Sequence, residues 1–395
     1  MSSLGDRLAA ARKRRGLTQS ELASLAGVSL SLIRKIEQGE RPDTRLETLR
    51  KIAKSLGVAT TTLIGERQSV AGSVTDPQWQ QVMRAMTGQD DATGDPLPTT
   101  GGLDSAVTAA VRLYHLDNYR ELATVLLPLV TEANALVAAQ EDEASTALAL
   151  RARVMQVVGS LATQTRHFKA SELALGIALR DAQDTGDDIE AASAVITQCW
   201  LLLRQGKLDE ARELATLWAD RIEPRMSRAT DREVAAWGWL LLRGSAAAIR
   251  DNRASEAEDF MRLALAGAVR IGREHGSYHE YFTTFGPATV QMKNVENAII
   301  DANPAKALRL AQQIPQAANP TSDNLNRHLL DVAYAHVQLR QYGQALELLS
   351  RIRWDAPEWL PHQRYAHDIL ATITGKRRTL TDEMRDLADF MGLDL

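Results

Sequence analysis

The chain has 395 residues, 45% apolar and 24% charged, with a formal net charge of −4. That length is too great for one compact core and suits two or three domains, and the composition is that of an ordinary soluble protein. No apolar run approaches the ~20 residues of a membrane helix, and the basic start MSSLGDRLAAARKRRG lacks the apolar stretch of a secretory signal. The single cysteine, Cys199, excludes an internal disulfide framework and reads as a small core residue in AVITQCWLLL. The expected compartment is the cytoplasm. The charge is uneven: residues 1–67 hold 13 Lys/Arg against 7 Asp/Glu, and the remainder 33 against 43. A basic head on an acidic body suits a polyanion partner for the head.

Five short helices are predicted in residues 1–67. The first runs Leu4 to Arg15 through Leu8 and Ala11 and stops at Gly16. Thr18 caps the second, Gln19 to Ala26, with Glu21 completing a capping box. Gly27-Val28-Ser29 is a tight turn in which Gly27 takes positive φ and Val28 plugs the core. Ser29 caps the third helix, Leu30 to Gln38, whose inner face is Ile33 and Ile36. Leu46 to Leu56 forms the fourth, and Leu63-Ile64 closes the bundle. Two helices joined by a three-residue turn with Gly are a helix-turn-helix, which lays its second helix in the major groove. Leu30, Ser31, Arg34, Lys35 and Gln38 share the outer side of that helix.

The stretch TQSELASLAGVSLSLIRKIEQGERPDTRLETLRKIAKSLGV resembles the XRE family, the helix-turn-helix of phage repressors and Cro. The match covers about residues 4–65, with Thr18-Gln19, Glu21-Leu22-Ala23, Ala26-Gly27-Val28-Ser29, Ile33, Ile36-Glu37 and Gly39 in register. The resemblance implies that Gln19 meets backbone or base at the site edge and that Leu30, Ser31 and Lys35 face base edges. It implies phosphate contacts for Ser29, Gln38 and Arg41, and a bracing pair of Arg12 with Glu37. Leu30 stands where repressors often carry Gln, and Leu packs on a thymine methyl rather than pairing with adenine. Arg34 reads either guanine or phosphate, and Arg12 to Arg15 otherwise read as a solvated face.

Residues 68–102 are predicted to link head and body. Residues 88–102, with three Asp, two Pro and Leu97 as the one large aliphatic, read as a flexible tether. Pro77 to Met86 reads as an amphipathic helix that packs on either the head or the body. From residue 103 to 395 the hydrophobic period is helical almost without break. The segments HFKASELA, KLDEAREL, RASEAEDF, NPAKALRL and QYGQALEL place Ala170, Ala211, Ala257, Ala307 and Ala345 at one position, with Leu122 in a degenerate earlier copy. A small residue there lets two antiparallel helices approach, and stacked pairs make a solenoid. About six hairpins fit, with Thr381 to Leu395 as a terminal cap. The fold class is all-α: a five-helix lambda-repressor-like DNA-binding domain, then a tetratricopeptide-like α-solenoid.

An XRE head on such a body resembles the peptide-responsive regulators and related actinobacterial ones, a likeness that FGPATVQMKNVENAIIDANPAKALRLA shares. The resemblance implies dimerisation through the body and a ligand in its groove. The aromatic patch Tyr278, His279, Phe282 and Phe285, with Asn294 and Asn297 on the next helix, is the candidate ligand site. Its alternative is that the aromatics fill a gap between repeats. Trp200, Trp218, Trp237 and Trp239 read as core. The His275/His279 pair lacks the HExxH setting of a metal site, and no phosphate loop or nucleophile elbow appears, so no enzyme, cofactor or metal is expected. Expected partners are palindromic double-stranded operator DNA, a second copy of the chain and a signalling peptide or small molecule, with no membrane. Two functions fit: a transcriptional regulator responding to a ligand in the solenoid, or a DNA-tethered assembly protein whose solenoid docks a partner.

Overall fold

A computed structural model describes residues 3–41, 44–64, 77–88, 98–139, 144–276, 283–315, 320–376 and 379–393, and its regular elements are helical. The one β pairing among them is an isolated bridge between His275 and Phe285. The head consists of α1 (Leu4–Arg14), α2 (Gln19–Ala26), α3 (Leu30–Glu37), α4 (Leu46–Leu56) and α5 (Thr60–Ile64). The Thr18/Glu21 capping box forms, Gly27 ends α2 at φ 64°, and Ser29 Oγ accepts from Leu32 N–H to start α3. Leu8, Leu22, Ile33, Ile36, Ile52, Leu56 and Leu63 meet in one core.

Six helix pairs follow among the described residues: α7/α8 (Thr100–His115, Tyr119–Ala139), α9/α10 (Ala144–Gln164, Phe168–Asp184), α11/α12 (Asp188–Gln205, Leu208–Arg221), α13/α14 (Asp231–Arg250, Ala254–Ile271), α15/α16 (Pro287–Ile300, Pro304–Ala311) and α17/α18 (Ser322–Gln338, Tyr342–Asp355). One local device makes each turn within a pair. A residue in left-handed conformation (Asp117, Arg166, Gly206, Asn252, Ala302, Arg340) ends the first helix. The next N–H then reaches back to close a Schellman bond, as from Arg253 to Ala248 O at 2.9 Å. Five residues beyond the left-handed position comes the small buried residue read from the sequence: Ala211, Ala257, Ala307 and Ala345, all at most 1% exposed, with Leu122 in the first copy. In α10 the equivalent residue is Ser171, not Ala170. Ser171 is fully buried and donates to Gly159 O at 3.0 Å, so the sequence alignment of that copy was one residue early.

After a 3-10 turn at Leu360–His362, α19 (Arg364–Thr374) and α20 (Asp382–Met391) close the stack, with Met384, Leu387 and Met391 buried. Helix α6 (Pro77–Met86) packs on the body, seating Trp79, Val82, Ala85 and Met86 in the core shared with α8 and α10. The tether reading needs correction at its end: Thr99 Oγ1 caps α7, and Gly101 and Gly102 lie in that helix's first turn. Helix α8 also corrects the reading of apolar runs, because it is long and apolar enough to cross a membrane by composition. Its buried face, from Tyr119 through Leu126 and Val130 to Leu136, lies in the core instead.

The head is seated on the body through α4 and α5. Thr60 Oγ1 donates to Arg250 O at 2.9 Å, and Thr61 donates its N–H and hydroxyl to Asp251 Oδ1 at 2.8 and 3.0 Å. Lys54 pairs with Asp301 at 2.9 Å, Tyr334 donates to Glu47 at 2.8 Å, and Arg45 pairs with Asp368 at 2.8 Å. Leu49, Ile64 and Leu208 form a small apolar cluster across the contact.

Candidate nucleic-acid interface and ligand cavity

The recognition helix is amphipathic. Ile33 and Ile36 are buried, whereas Ser31, Arg34, Lys35 and Gln38 are exposed on its outer side, with Arg41 just beyond. Leu30 is half-buried at the helix start, with its inner side against the head core. Ser29 is exposed, and its hydroxyl, used as acceptor by the cap, keeps its proton for an outside acceptor. The head's contacts with the body come from Arg45, α4 and α5, so the basic outer face of α3 is open to solvent. A helix presenting Arg34 and Lys35 beside the Ser31 hydroxyl and the Gln38 amide matches the edge pattern of the major groove.

That face rests on a brace. Arg12 Nε and Nη2 donate to the two carboxylate oxygens of Glu37 at 2.7 and 2.9 Å, and Arg12 Nη1 to Leu17 O at 2.8 Å. Gln19 Nε2 donates to Glu37 Oε2 at 2.8 Å. Gln19 is therefore held by the brace, and its Nε2 keeps a second N–H for an outside acceptor. Burial works to raise Glu37, but the bonds from Arg12 and Gln19 outweigh it and hold the carboxyl below its ordinary value.

The expected ligand patch is not assembled as read. Phe285 is fully buried, its ring pressed into the gap that Gly238 leaves on α13. Asn297 Nδ2 donates to Ser245 Oγ at 2.8 Å and ties α15 to α13. Both serve packing between repeats. Asn294 is half-buried on α15, outside the lining of the cavity described next, and Tyr278, His279 and Phe282 lie outside the described residues. A cavity of about 40 Å³ opens instead on the side formed by the first helices of the pairs. Its walls include Tyr114 of α7, Thr197 and Trp200 of α11, Arg243 of α13, and Asp323 and Asn324 of α17. Thr197 accepts from Gln156 Nε2 at 2.8 Å, and Asn324 donates to Thr283 at 2.6 Å, so the polar walls are held in place.

Two arginines on this side differ. Arg204 donates to Thr163 O, Gln164 O and Gln363 Oε1, capping the end of α9. Burial pulls its guanidinium down to about 9. Arg243 lies over the Trp239 ring at 4.9 Å and near Trp200 at 5.9 Å, and its one hydrogen bond among the described residues runs from Nε to Ile196 O at 3.2 Å. Burial pulls it down as well, against Cys199, Glu296 and Asp323, which favour its charge. Cys199 itself is buried and its thiol is pushed up to about 12, as befits a core residue.

A family profile described as helix-turn-helix matches residues 8–63. The transcriptional regulator SutR of Escherichia coli K12 is 42% identical over 72 residues, which are 18% of this chain and 40% of SutR. The chain thus spans less than half the length of that relative. SinR of Bacillus subtilis 168, also a helix-turn-helix transcriptional regulator, is 33% identical over 86 residues, 21% of this chain and 78% of SinR. The chain belongs to the helix-turn-helix family of transcriptional regulators. A solved structure of ComR from S. thermophilus in complex with DNA and its signalling peptide ComS aligns with 89% of this chain and 99% of ComR, at 12% identity and a TM-score of 0.28.

Sequence reading missed the cavity because its walls are scattered. Tyr114, Trp200, Arg243 and Asp323 lie on four helices and meet only through the stacking. One signal was present: Arg243 sits in the otherwise apolar face of AAWGWLLLRG, where a charge needs a reason. Trp218, Trp237 and Trp239 are core as expected, while Trp200 is half-buried at the cavity wall.

Proposed function

We propose that the chain is a sequence-specific transcriptional regulator that binds an inverted-repeat operator as a homodimer. Its DNA affinity is set by a peptide or small ligand held in the helical-repeat part. We divide it into a DNA-binding domain at 1–67, a connecting segment at 68–102 and a sensor and dimerisation domain at 103–395. The observation that carries the reading is the outer face of α3, exposed and basic on a braced scaffold. Ser31 and Lys35 read base edges, Leu30 packs on a thymine methyl, and Arg34 contacts either a base or phosphate. Gln19, Ser29, Gln38 and Arg41 hold the backbone.

The walled cavity favours a ligand-responsive regulator over a DNA-tethered assembly protein, which needs a broad docking surface and no pocket. The reading gives the chain no catalytic role and places it in the cytoplasm, where the operator is. One helix-turn-helix reads too few bases to single out an operator, which takes about 4–10 kcal/mol over non-specific DNA. Two heads on one two-fold body double the reading. Light scattering of the full chain, with a footprint on genomic fragments, tests this. A dimer protecting an inverted repeat is expected, and a monomer on an asymmetric site refutes it.

A further inference from the structure

The cavity carries two opposite charges that do not pair with each other. Arg243 makes no salt bridge to any described carboxylate, and apart from Nε its N–H donors have no acceptor among the described residues. Asp323, on another wall, has a buried Oδ1 with no hydrogen-bond partner. Structural roles explain part of this. Asp323 sits in the first turn of α17, where a negative charge suits the helix dipole, and Arg243 stacks on tryptophan. Neither role uses the free guanidinium donors or the orphaned oxygen, and an unmet oxygen buried inside a fold is costly. Arg204 shows the contrast, since its donors are spent on three acceptors.

We propose that this cavity binds the α-amino-acid end of a ligand, with Arg243 taking the carboxylate and Asp323 taking the N–H on the same α-carbon. A guanidinium presents parallel donors that match the two oxygens of a carboxylate. At about 40 Å³ the cavity has room for about three waters, the scale of one polar end group and not of a peptide chain. Tyr114 and Trp200 give the end group an apolar wall. A free amino acid and the C-terminal residue of a peptide share this chemistry. The inference rests on the ligand-responsive reading above and names its ligand class.

Ligand-observed NMR of the full chain with glycine, N-acetylglycine and N-acetylglycinamide, each at millimolar concentration, tests it. N-acetylglycine should bind and its amide should bind roughly tenfold more weakly or not at all. Glycine binding as well marks a free amino acid as the source, and N-acetylglycine alone marks a peptide end. Arg243→Gln should abolish the preference for acid over amide. Asp323→Ala should weaken N-acetylglycine roughly tenfold, and carries the test if melting shows that Arg243→Gln does not fold. The proposal fails if neither acid binds, if acid and amide bind alike, or if a folded Arg243→Gln keeps the preference. DNA affinity is measured separately without fragments, so a chain that binds no DNA refutes the regulator reading and leaves the NMR result standing.

Discussion

Replacing Arg12 by alanine tests whether the recognition helix depends on its brace. Three bonds disappear at once: two to Glu37 at 2.7 and 2.9 Å and one to Leu17 O at 2.8 Å. The Arg12 and Glu37 side chains are only 12% and 8% exposed, so alanine strands a largely buried carboxylate with Gln19 as its remaining partner. Cutting one side of a buried pair costs about 3–5 kcal/mol. Arg14→Ala, on an exposed residue of the same helix, costs under about 1 kcal/mol. Glu37 is held below its ordinary value, so its stabilising effect is complete above the unfolded value of 4.5 and fades as the pH falls through the folded value. The gap between wild type and Arg12→Ala should therefore narrow as the pH falls below 4.5. Denaturant unfolding followed by hydrogen exchange of the α1–α3 amides reads both effects. Equal losses from Arg12→Ala and Arg14→Ala, or a gap that persists unchanged into acid, would refute the reasoning.

Lys35→Ala and Ser31→Ala should each cost about 1–3 kcal/mol on the operator and little on random DNA, whereas Arg41→Ala weakens both alike; competition binding checks the ratio. Gly5→Ala should destabilise the head by about 1–3 kcal/mol in a thermal melt, because a Cβ there would lie 2.6 Å from Ile36 O and 2.7 Å from Glu37 O. Burial raises Asp117 to about 6 against bonds from Ser322 and Tyr119, so its ionisation lowers stability as the pH climbs from about 4 to about 6. Asp117→Asn keeps an acceptor for Tyr119, suits the left-handed backbone at φ 58°, and should gain about 1–3 kcal/mol at pH 7 and nothing at pH 3 in urea titrations. Asp251→Ala, which removes the acceptor for both Thr61 donors and the buried partner of Arg253, should speed hydrogen exchange of the α4 and α5 amides and lower the melting of the body as well.

The head was legible residue by residue because its determinants are local. Thr18 and Glu21 cap within one turn, Gly27 supplies the left-handed angle that the turn before α3 needs, and Ile33 and Ile36 mark the inner face. The body was legible as a repeat, because the small residue after each Schellman turn recurs in the chain. Its register failed at Ala170, since Ser171 meets the same need for small size and the sequence shows no reason to prefer it. Phe285 was misread for a different reason. An aromatic run beside Gly-Pro looks like a pocket wall, yet Phe285 fills the notch at Gly238, forty-odd residues upstream, which no local pattern announces. The seating of α4 and α5 on the body was also hidden, because Thr60, Thr61 and Asp251 are ordinary polar residues until the fold brings them together.

The two halves of the molecule are joined by elements that serve both. Helix α13 carries Trp239 and Arg243 at the cavity and, about two turns later, Arg250 and Asp251, which accept from the head. Helix α17 carries Asp323 and Asn324 at the cavity and, further along, Tyr334, which donates to Glu47 of α4. Between these helices Glu296 of α15 is buried against Arg250, Lys293 and Arg327, so α13, α15 and α17 are tied by charge as well as by packing. A group bound between Arg243 and Asp323 draws on the same two helices that hold the head. It shifts DNA affinity only by the difference between its binding energies in the seated and unseated arrangements, and DNA must shift its affinity by the same factor. A tenfold effect on the operator needs only about 1.4 kcal/mol of that difference. One charge-assisted hydrogen bond that forms in one arrangement and not in the other supplies it.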